Sequence, residues 1–359
     1  MGSEWIISQG EVEALKFDIE RDLLCIVDET GHFTSLNGGW ERVLGWTGEE
    51  LTSRPYIDFV HPADRERTLE EAAKGARPGH EVARFENRYR TRGGGWRWLR
   101  WSARSDGKSW FAVAYDVTEE KEAERRLRRM LTGGHLVAYS QPILDQRRGS
   151  IVQEELLARM RPSDRGEGVL APSEFLPDVE RSGLIGFVDR WMVSQAAAVA
   201  SQGRRVEVNL SARSIEDEVL AVDLEEAIAR TGASAENLIF EITETAAITH
   251  LDAARDFAER LTRLGCSLAL DDFGTGFGSL TYLRQLPVRY LKIDASFVHD
   301  LVANPEDRAI VRGIVGIARE LGMLTVAEGI EDEETLALLR DYGVDYAQGY
   351  LIGPPVPLG

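Results

Sequence analysis

Two rhythms of apolar and polar positions divide the chain. Up to about residue 117 the apolar residues come in short alternating runs between turn residues, the pattern of half-buried antiparallel strands. Leu23–Val27 reads as a strand, Asp28–Gly31 as a turn and His32–Leu36 as a second strand. Helical pieces are expected at 38–45 and 64–75. Then Glu81–Arg92 and Trp96–Arg104 alternate on either side of Gly93-Gly94-Gly95, and Ser109–Asp116 closes the set. A glycine turn between two alternating runs signals a hairpin.

From about residue 136 compact apolar runs alternate with amphipathic stretches. Strands are expected at 137–144, 151–158, 205–210, 238–243, 267–272, 289–293, 323–328 and 345–349. Helices are expected at 173–201, 216–231, 250–264, 305–321 and 332–341. Eight strands interleaved with helices predict a parallel α/β barrel. The first two strands are joined only by Asp145–Ser150. That is too short for a parallel crossover, so one strand is expected to run antiparallel. Between the two segments, Val117–Leu131 has no Gly or Pro and is dense in Glu, Lys and Arg, with Ala123, Leu127 and Met130 at helical spacing. It reads as a linker helix, either paired with its copy in a homodimer or standing as a single charged helix. The expected division is 12–117, a linker at 118–133, and 134–357.

Composition narrows the class. The 359 residues suffice for two or three independent cores. No window approaches the ~20 apolar residues of a membrane span, and Met1–Ile6 lacks the basic flank and apolar core of a signal peptide. Cys25 and Cys266 lie far apart and sit like apolar residues, so neither a disulfide framework nor a zinc site is expected, and a cytoplasmic setting is. The net charge is −18, yet residues 1–132 hold 24 acidic against 21 basic side chains. The acid excess therefore belongs to the C-terminal part, which argues against a nucleic-acid polymer as partner. No membrane partner is expected either.

Candidate chemistry lies where barrel chemistry sits, at the C-terminal ends of strands. Those ends carry Glu155, Asn209, Glu241 with Glu244, Asp271 with Asp272, Lys292 with Asp294, Glu328 with Glu331, and Gln348. Each alone has a plain explanation: a cap for a glutamate, a turn for Asn209, a snorkelling stem for Lys292. Recurrence at one end of nearly every strand does not. Oxygen donors without His or Cys suit hard cations, magnesium or manganese, rather than zinc.

These residues carry two family resemblances. The first segment resembles a PAS sensor domain, through Asn37–Trp46, Phe59–Arg65, Glu86–Trp96 and Ala114–Glu119. The sequence names no PAS ligand. Cys25 in a strand does not match the helical Asn-Cys-Arg setting of the light-sensing flavin type, and His61 before Pro62-Ala63-Asp64 suits a cap and turn better than a haem ligand. The aromatic run Trp96–Trp101 reads as packing for the sheet or a dimer partner.

The second segment resembles an EAL domain, the phosphodiesterase that linearises cyclic di-GMP. The matching stretches are Tyr139–Ile143, Glu155–Arg159, Val208–Ser211, Phe240–Thr245, Asp271–Gly276, Leu291–Asp294, Ala327–Glu331 and Gln348–Tyr350. The resemblance implies a modified TIM barrel with one antiparallel strand and two metal ions per active site. Glu155, Asn209, Glu241 and Asp271 would hold one ion, and Asp271 would bridge to a second that Asp272 and Glu328 also approach. Lys292, with Glu328 and Glu331, would serve catalysis. Gln141, Leu157, Arg159 and Gln348 would meet the substrate, and Glu244 would tie down the Asp-Asp loop. Departures are Leu156 within the signature triplet, Phe277-Gly278 in the loop and Arg289 before Tyr290; none removes a metal ligand or the lysine. The alternative is a catalytically silent cyclic di-GMP receptor that signals to a protein partner, with the retained ligands favouring the enzyme.

Overall fold

The computed structural model describes residues 22–74, 78–162, 168–276 and 280–359, without the side chains of Glu218 and Leu280. It forms two compact units, divided between Arg126 and Leu127.

The N-terminal unit is a five-stranded antiparallel sheet of β1 (Asp22–Val27), β2 (Phe33–Leu36), β3 (Glu81–Arg90), β4 (Trp96–Ser105) and β5 (Trp110–Asp116), in the order β2-β1-β5-β4-β3. Alternation sends Leu23, Cys25 and Val27 inward. β3 and β4 pair from Glu81↔Arg104 to Arg90↔Trp96 around the glycine turn, where Gly94 adopts φ +88°. The core is aromatic. The Trp40 ring lies 5.0 Å from Phe33, 5.9 Å from Tyr89 and 5.8 Å from Trp101, and its indole donates to the Leu24 carbonyl at 2.9 Å. His61 caps a short turn by accepting from the Ala63 amide at 3.2 Å. A helix at Gly48–Thr52 went unexpected, although Thr47 and Glu50 form a capping box that spells its start.

The C-terminal unit is a closed barrel of β6 (Leu136–Asp145), β7 (Ser150–Met160), β8 (Val206–Asn209), β9 (Leu238–Thr243), β10 (Ser267–Phe273), β11 (Val288–Ile293), β12 (Leu324–Ala327) and β13 (Tyr346–Gln348). β6 is antiparallel to both neighbours, β7 and β13, and the remaining pairs are parallel. A two-residue β14 (Val356–Pro357) that the sequence pattern did not reveal adds to β6.

Parallel strands covered on both faces read as continuous apolar runs, as Leu238–Thr243 does. Helices such as Leu251–Leu264 bury Ala254, Phe257, Ala258 and Leu261 at helical spacing. The single helix expected at 173–201 is two, Pro172–Arg181 and Ile185–Ala200. Gly183, at φ +69°, breaks it. In the helix Thr118–Thr132, Leu127 and Met130 pack partly buried against the barrel core and Leu131 is buried there, while Ala123 is exposed. No helix among the described residues is long and apolar enough to cross a membrane.

Inside the barrel the period of two builds layers. Ile143, Ile239, Ala269, Tyr290 and Val326 form an apolar cluster of their own. Two residues further along β9, β10, β11 and β12 come Glu241, Asp271, Lys292 and Glu328. The apolar layer is the floor of the site and the polar layer is the site.

Candidate active site

Lys292 is the hub. Its side chain is 1% exposed, and its ammonium lies 2.5 Å from Glu241, 2.6 Å from Glu328, 3.6 Å from Asp271 and 3.7 Å from Glu155. Burial alone would discharge it, but the four carboxylates outweigh burial and hold its pKa well above the ordinary value. Glu155 is fixed from both sides. Its Oε1 accepts from Asn209 at 2.5 Å and its Oε2 from Gln348 at 2.6 Å. The same Gln348 amide reaches Gln141 at 3.3 Å, and Gln141 donates to the Gly353 carbonyl at 3.1 Å.

Asp271 and Asp272 would face opposite sides of a regular strand. Asp272 instead takes φ +54°, a left-handed conformation that aspartate tolerates better than most residues. One oxygen from each of Asp271, Asp272 and Glu328 then falls within 4.8 Å of the others. Burial, with Asp271 and Asp294 nearby, raises the Asp272 carboxyl to about 6 against the pull of Lys292. Burial also raises Glu328 to about 8, Lys292 opposing and Asp271 and Glu155 adding to the rise.

These shifts test whether a metal fits. Four carboxyls, those of Glu155, Glu241, Asp271 and Glu328, meet one ammonium with Asp272 next in the chain, and the cost shows in Glu241, Asp272 and Glu328, which are raised toward their protonated forms. An all-oxygen set that one lysine under-compensates is matched to hard divalent cations. The donor set fits.

Glu244 lies beside this cluster. It is buried, accepting from the Gly274 amide at 2.9 Å and from the Tyr282 hydroxyl at 2.9 Å. A Cβ at Gly276 would approach its carboxyl to 3.1 Å, and one at Gly274 (φ +101°) would meet the Phe297 ring at 2.9 Å. Glycine is what lets this loop close over Glu244. Phe277 and Gly278 lie outside the described residues.

On β7, Arg159 is half-buried, donates to the Ala158 carbonyl at 2.9 Å and stacks 5.5 Å over Tyr139; Leu157 pairs with Tyr139 across the strands. Glu331 is exposed on the loop after β12. Two interior residues were missed by sequence reasoning. Gln153 and Glu207 are buried, and the Gln153 amide donates to Glu207 at 2.6 Å. Their signal was a glutamate and a glutamine inside strands, two residues before Asn209 and Glu155.

An eight-stranded barrel with one reversed strand and a carboxylate-lysine cluster at its strand ends defines a class, a TIM-like barrel with an acidic centre able to hold metal. The family is named by comparison. The EAL domain profile matches residues 124–355 and a PAS fold profile matches 33–113; the chain belongs to the EAL domain family and carries a PAS fold before it. It is 37% identical over 249 residues to the cyclic di-GMP phosphodiesterase NbdA of Pseudomonas aeruginosa, covering 67% of this chain and 32% of the relative. It is 36% identical over 239 residues to the cyclic di-GMP phosphodiesterase PdeF of Escherichia coli, covering 65% and 32%. The chain thus matches about a third of the length of these curated relatives. Among solved structures, the MucR phosphodiesterase in complex with c-di-GMP superposes with a TM-score of 0.62 at 33% identity, covering 66% of this chain and 98% of that one.

Proposed function

We propose that the barrel hydrolyses cyclic di-GMP to linear pGpG, using two magnesium or manganese ions, in the cytoplasm. The observation that carries this is Lys292 buried among four carboxylates beside the Asp271-Asp272-Glu328 cluster. The family membership, the names of NbdA and PdeF and the c-di-GMP complex of MucR support the substrate.

Glu155, Asn209, Glu241 and Asp271 would hold one ion, and Asp271, Asp272 and Glu328 the other. Bound divalent cations supply Lewis acidity toward a phosphodiester oxygen and a water acidic enough to attack near neutral pH. The chain supplies the rest. Asn209 and Gln348 lock both oxygens of Glu155, so that ligand is pre-oriented before anything binds. Lys292 has carboxylate partners on several sides; its ammonium would hydrogen-bond the attacking water and stabilise charge as it accumulates on the phosphoryl oxygens. Glu328, in contact with that ammonium, would accept or relay the proton, and Glu331 would assist from the loop after β12. Arg159 would contact a phosphate, with Gln141, Leu157 and Gln348 lining the nucleotide. Glu244 would keep the Asp-Asp loop in register through Gly274 and Tyr282. The N-terminal domain, 12–117, would set activity through the helix at 118–133 in a homodimer.

The test is incubation of purified protein with cyclic di-GMP and Mg2+ or Mn2+, with products separated by chromatography. Linear pGpG is expected, and Glu155→Ala is expected to abolish it. Binding without product would overturn the enzyme in favour of a receptor. Deleting residues 1–117 is expected to change activity or oligomeric state; a change in neither would refute regulation by the N-terminal domain.

A further inference from the structure

A groove in the C-terminal unit gathers positive charge in a chain whose net charge is −18. Its volume, about 570 Å3, is that of a small-molecule site. Three segments frame it: the end of the helix Thr118–Thr132, the start of the helix Ile185–Ala200 with the turn before it, and the short helix Ala212–Ile215 after β8. Each brings one arginine: Arg128, Arg190 and Arg213. Two glycines make room for them. A Cβ at Gly183, where φ is +69°, would come within 3.2 Å of the Arg213 guanidinium, and one at Gly186 equally close to that of Arg190.

The charges around the groove decide the sign of its ligand. Two acids line it, and both are engaged. Asp217 accepts the Val219 amide at 2.9 Å and lies 3.5 Å from Arg190, which also lies 3.5 Å from Asp223. Glu216 lies 2.7 Å from His250. Arg128 and Arg213 are exposed, and neither guanidinium has an ion pair or hydrogen bond among the described residues. The surplus is therefore positive and forked, and a guanidinium fork matches the oxygens of a phosphate with two parallel N–H bonds. The wall beside the arginines is apolar: Leu131 is buried, and Leu184 and Phe187 are partly buried. A ligand that used both features would carry a phosphate on an apolar or aromatic body.

We propose that this groove binds a phosphorylated small molecule with an aromatic body, the class to which nucleotides belong, with Arg128 and Arg213 on the phosphate and Phe187 against the body. The groove shares no residue with the carboxylate centre, so binding there needs neither metal nor hydrolysis. An occupant would tie the end of the helix Thr118–Thr132 to the segment that follows Asn209.

The test is titration calorimetry on the full-length protein, freed of divalent cations by chelating resin, with ribose 5-phosphate and GMP as probes. Without cations the carboxylate centre repels anions, so binding reports the arginines. Both probes are expected to bind, GMP more tightly because its base covers the apolar wall. Arg128→Gln and Arg213→Gln are each expected to weaken both probes about tenfold; both side chains are exposed, so the fold is not at stake. Arg147→Gln, which removes an exposed arginine 3.0 Å from Asp345, is expected to bind like wild type. Failure of the wild type to bind either probe overturns the inference, and so does unchanged affinity in the double variant Arg128→Gln/Arg213→Gln. An equal loss in Arg147→Gln overturns it too, since the overall field rather than the groove would then hold the anion. If ribose 5-phosphate binds as tightly as GMP, the apolar wall is unused and the proposed aromatic body is wrong.

Discussion

Each unit buries acidic groups against a cation, and the outcomes are opposite. In the N-terminal unit Asp64 meets the Arg88 guanidinium through two bonds of 2.8 Å and accepts the Arg88 amide at 3.0 Å. Burial pushes this carboxyl up, but the Arg88 bonds and the Arg67 charge outweigh it and bring the pKa down to about 2. In the barrel four carboxyls surround one ammonium, and burial wins: Glu328 rises to about 8 and Glu241 well above its usual range. One acid with a matched partner is a fastener. A crowd of acids with one partner is a site short of positive charge, and that shortage is what a metal would fill.

The largest test of that contrast removes the hub. Lys292→Met leaves four carboxylates without their cation, and breaking a buried ion pair from one side costs about 3–5 kcal/mol. The barrel of the metal-free variant is expected to lose that much in chemical denaturation under EDTA, to recover part of it in Mn2+, and to lose hydrolysis in both. Stability equal to wild type under EDTA would mean that the lysine does not hold the acids together. Next in size is Trp40→Ala, which opens the aromatic core between Phe33, Tyr89 and Trp101 and is expected to cost about 3 kcal/mol. Its effect should be confined to the N-terminal melt, with Mn2+ affinity untouched. An altered Mn2+ affinity would show that the two regions are not energetically separate.

What the sequence disclosed follows the same divide. Strand periodicity and chemistry coincide in the barrel, so eight strands and the carboxylate set could be read from runs such as Phe240-Glu241-Ile242 and Leu291-Lys292-Ile293. The antiparallel β6 was legible because a six-residue connection admits nothing else. What escaped depended on positions sequence does not display. The left-handed turn at Asp272 is a backbone choice, and Glu207 showed as an interior residue only when β8 set it beside the Gln153 amide. The break at Gly183 was visible as a residue but not as an event, since glycine inside a helical pattern is often tolerated. Leu127 and Met130 had the right spacing for a dimer stripe, and spacing cannot say whether the surface they meet belongs to a second copy or to their own barrel.

The smaller predictions sharpen the fastener side. Asp64→Asn is expected to cost the N-terminal unit about 2 kcal/mol at neutral pH, the equivalent of a carboxyl lowered from 3.8 to about 2. The sign is fixed by linkage. A folded value below the unfolded one means that the contribution is complete above about 4 and fades as pH falls toward 2. Wild type and variant should therefore converge in acid denaturation, and a gap that stays constant down to pH 2 would show that Asp64 works by packing, not charge. Thr47→Ala is smaller still. It removes the acceptor for the Glu50 amide, 3.2 Å away, while the Glu50 carboxylate still accepts from the residue-47 amide, so half of the capping box survives and about 1 kcal/mol is the expected loss. Thr47→Ser should restore it, because the hydroxyl rather than the methyl makes the cap; failure of serine to do so would assign the loss to packing of the methyl group instead.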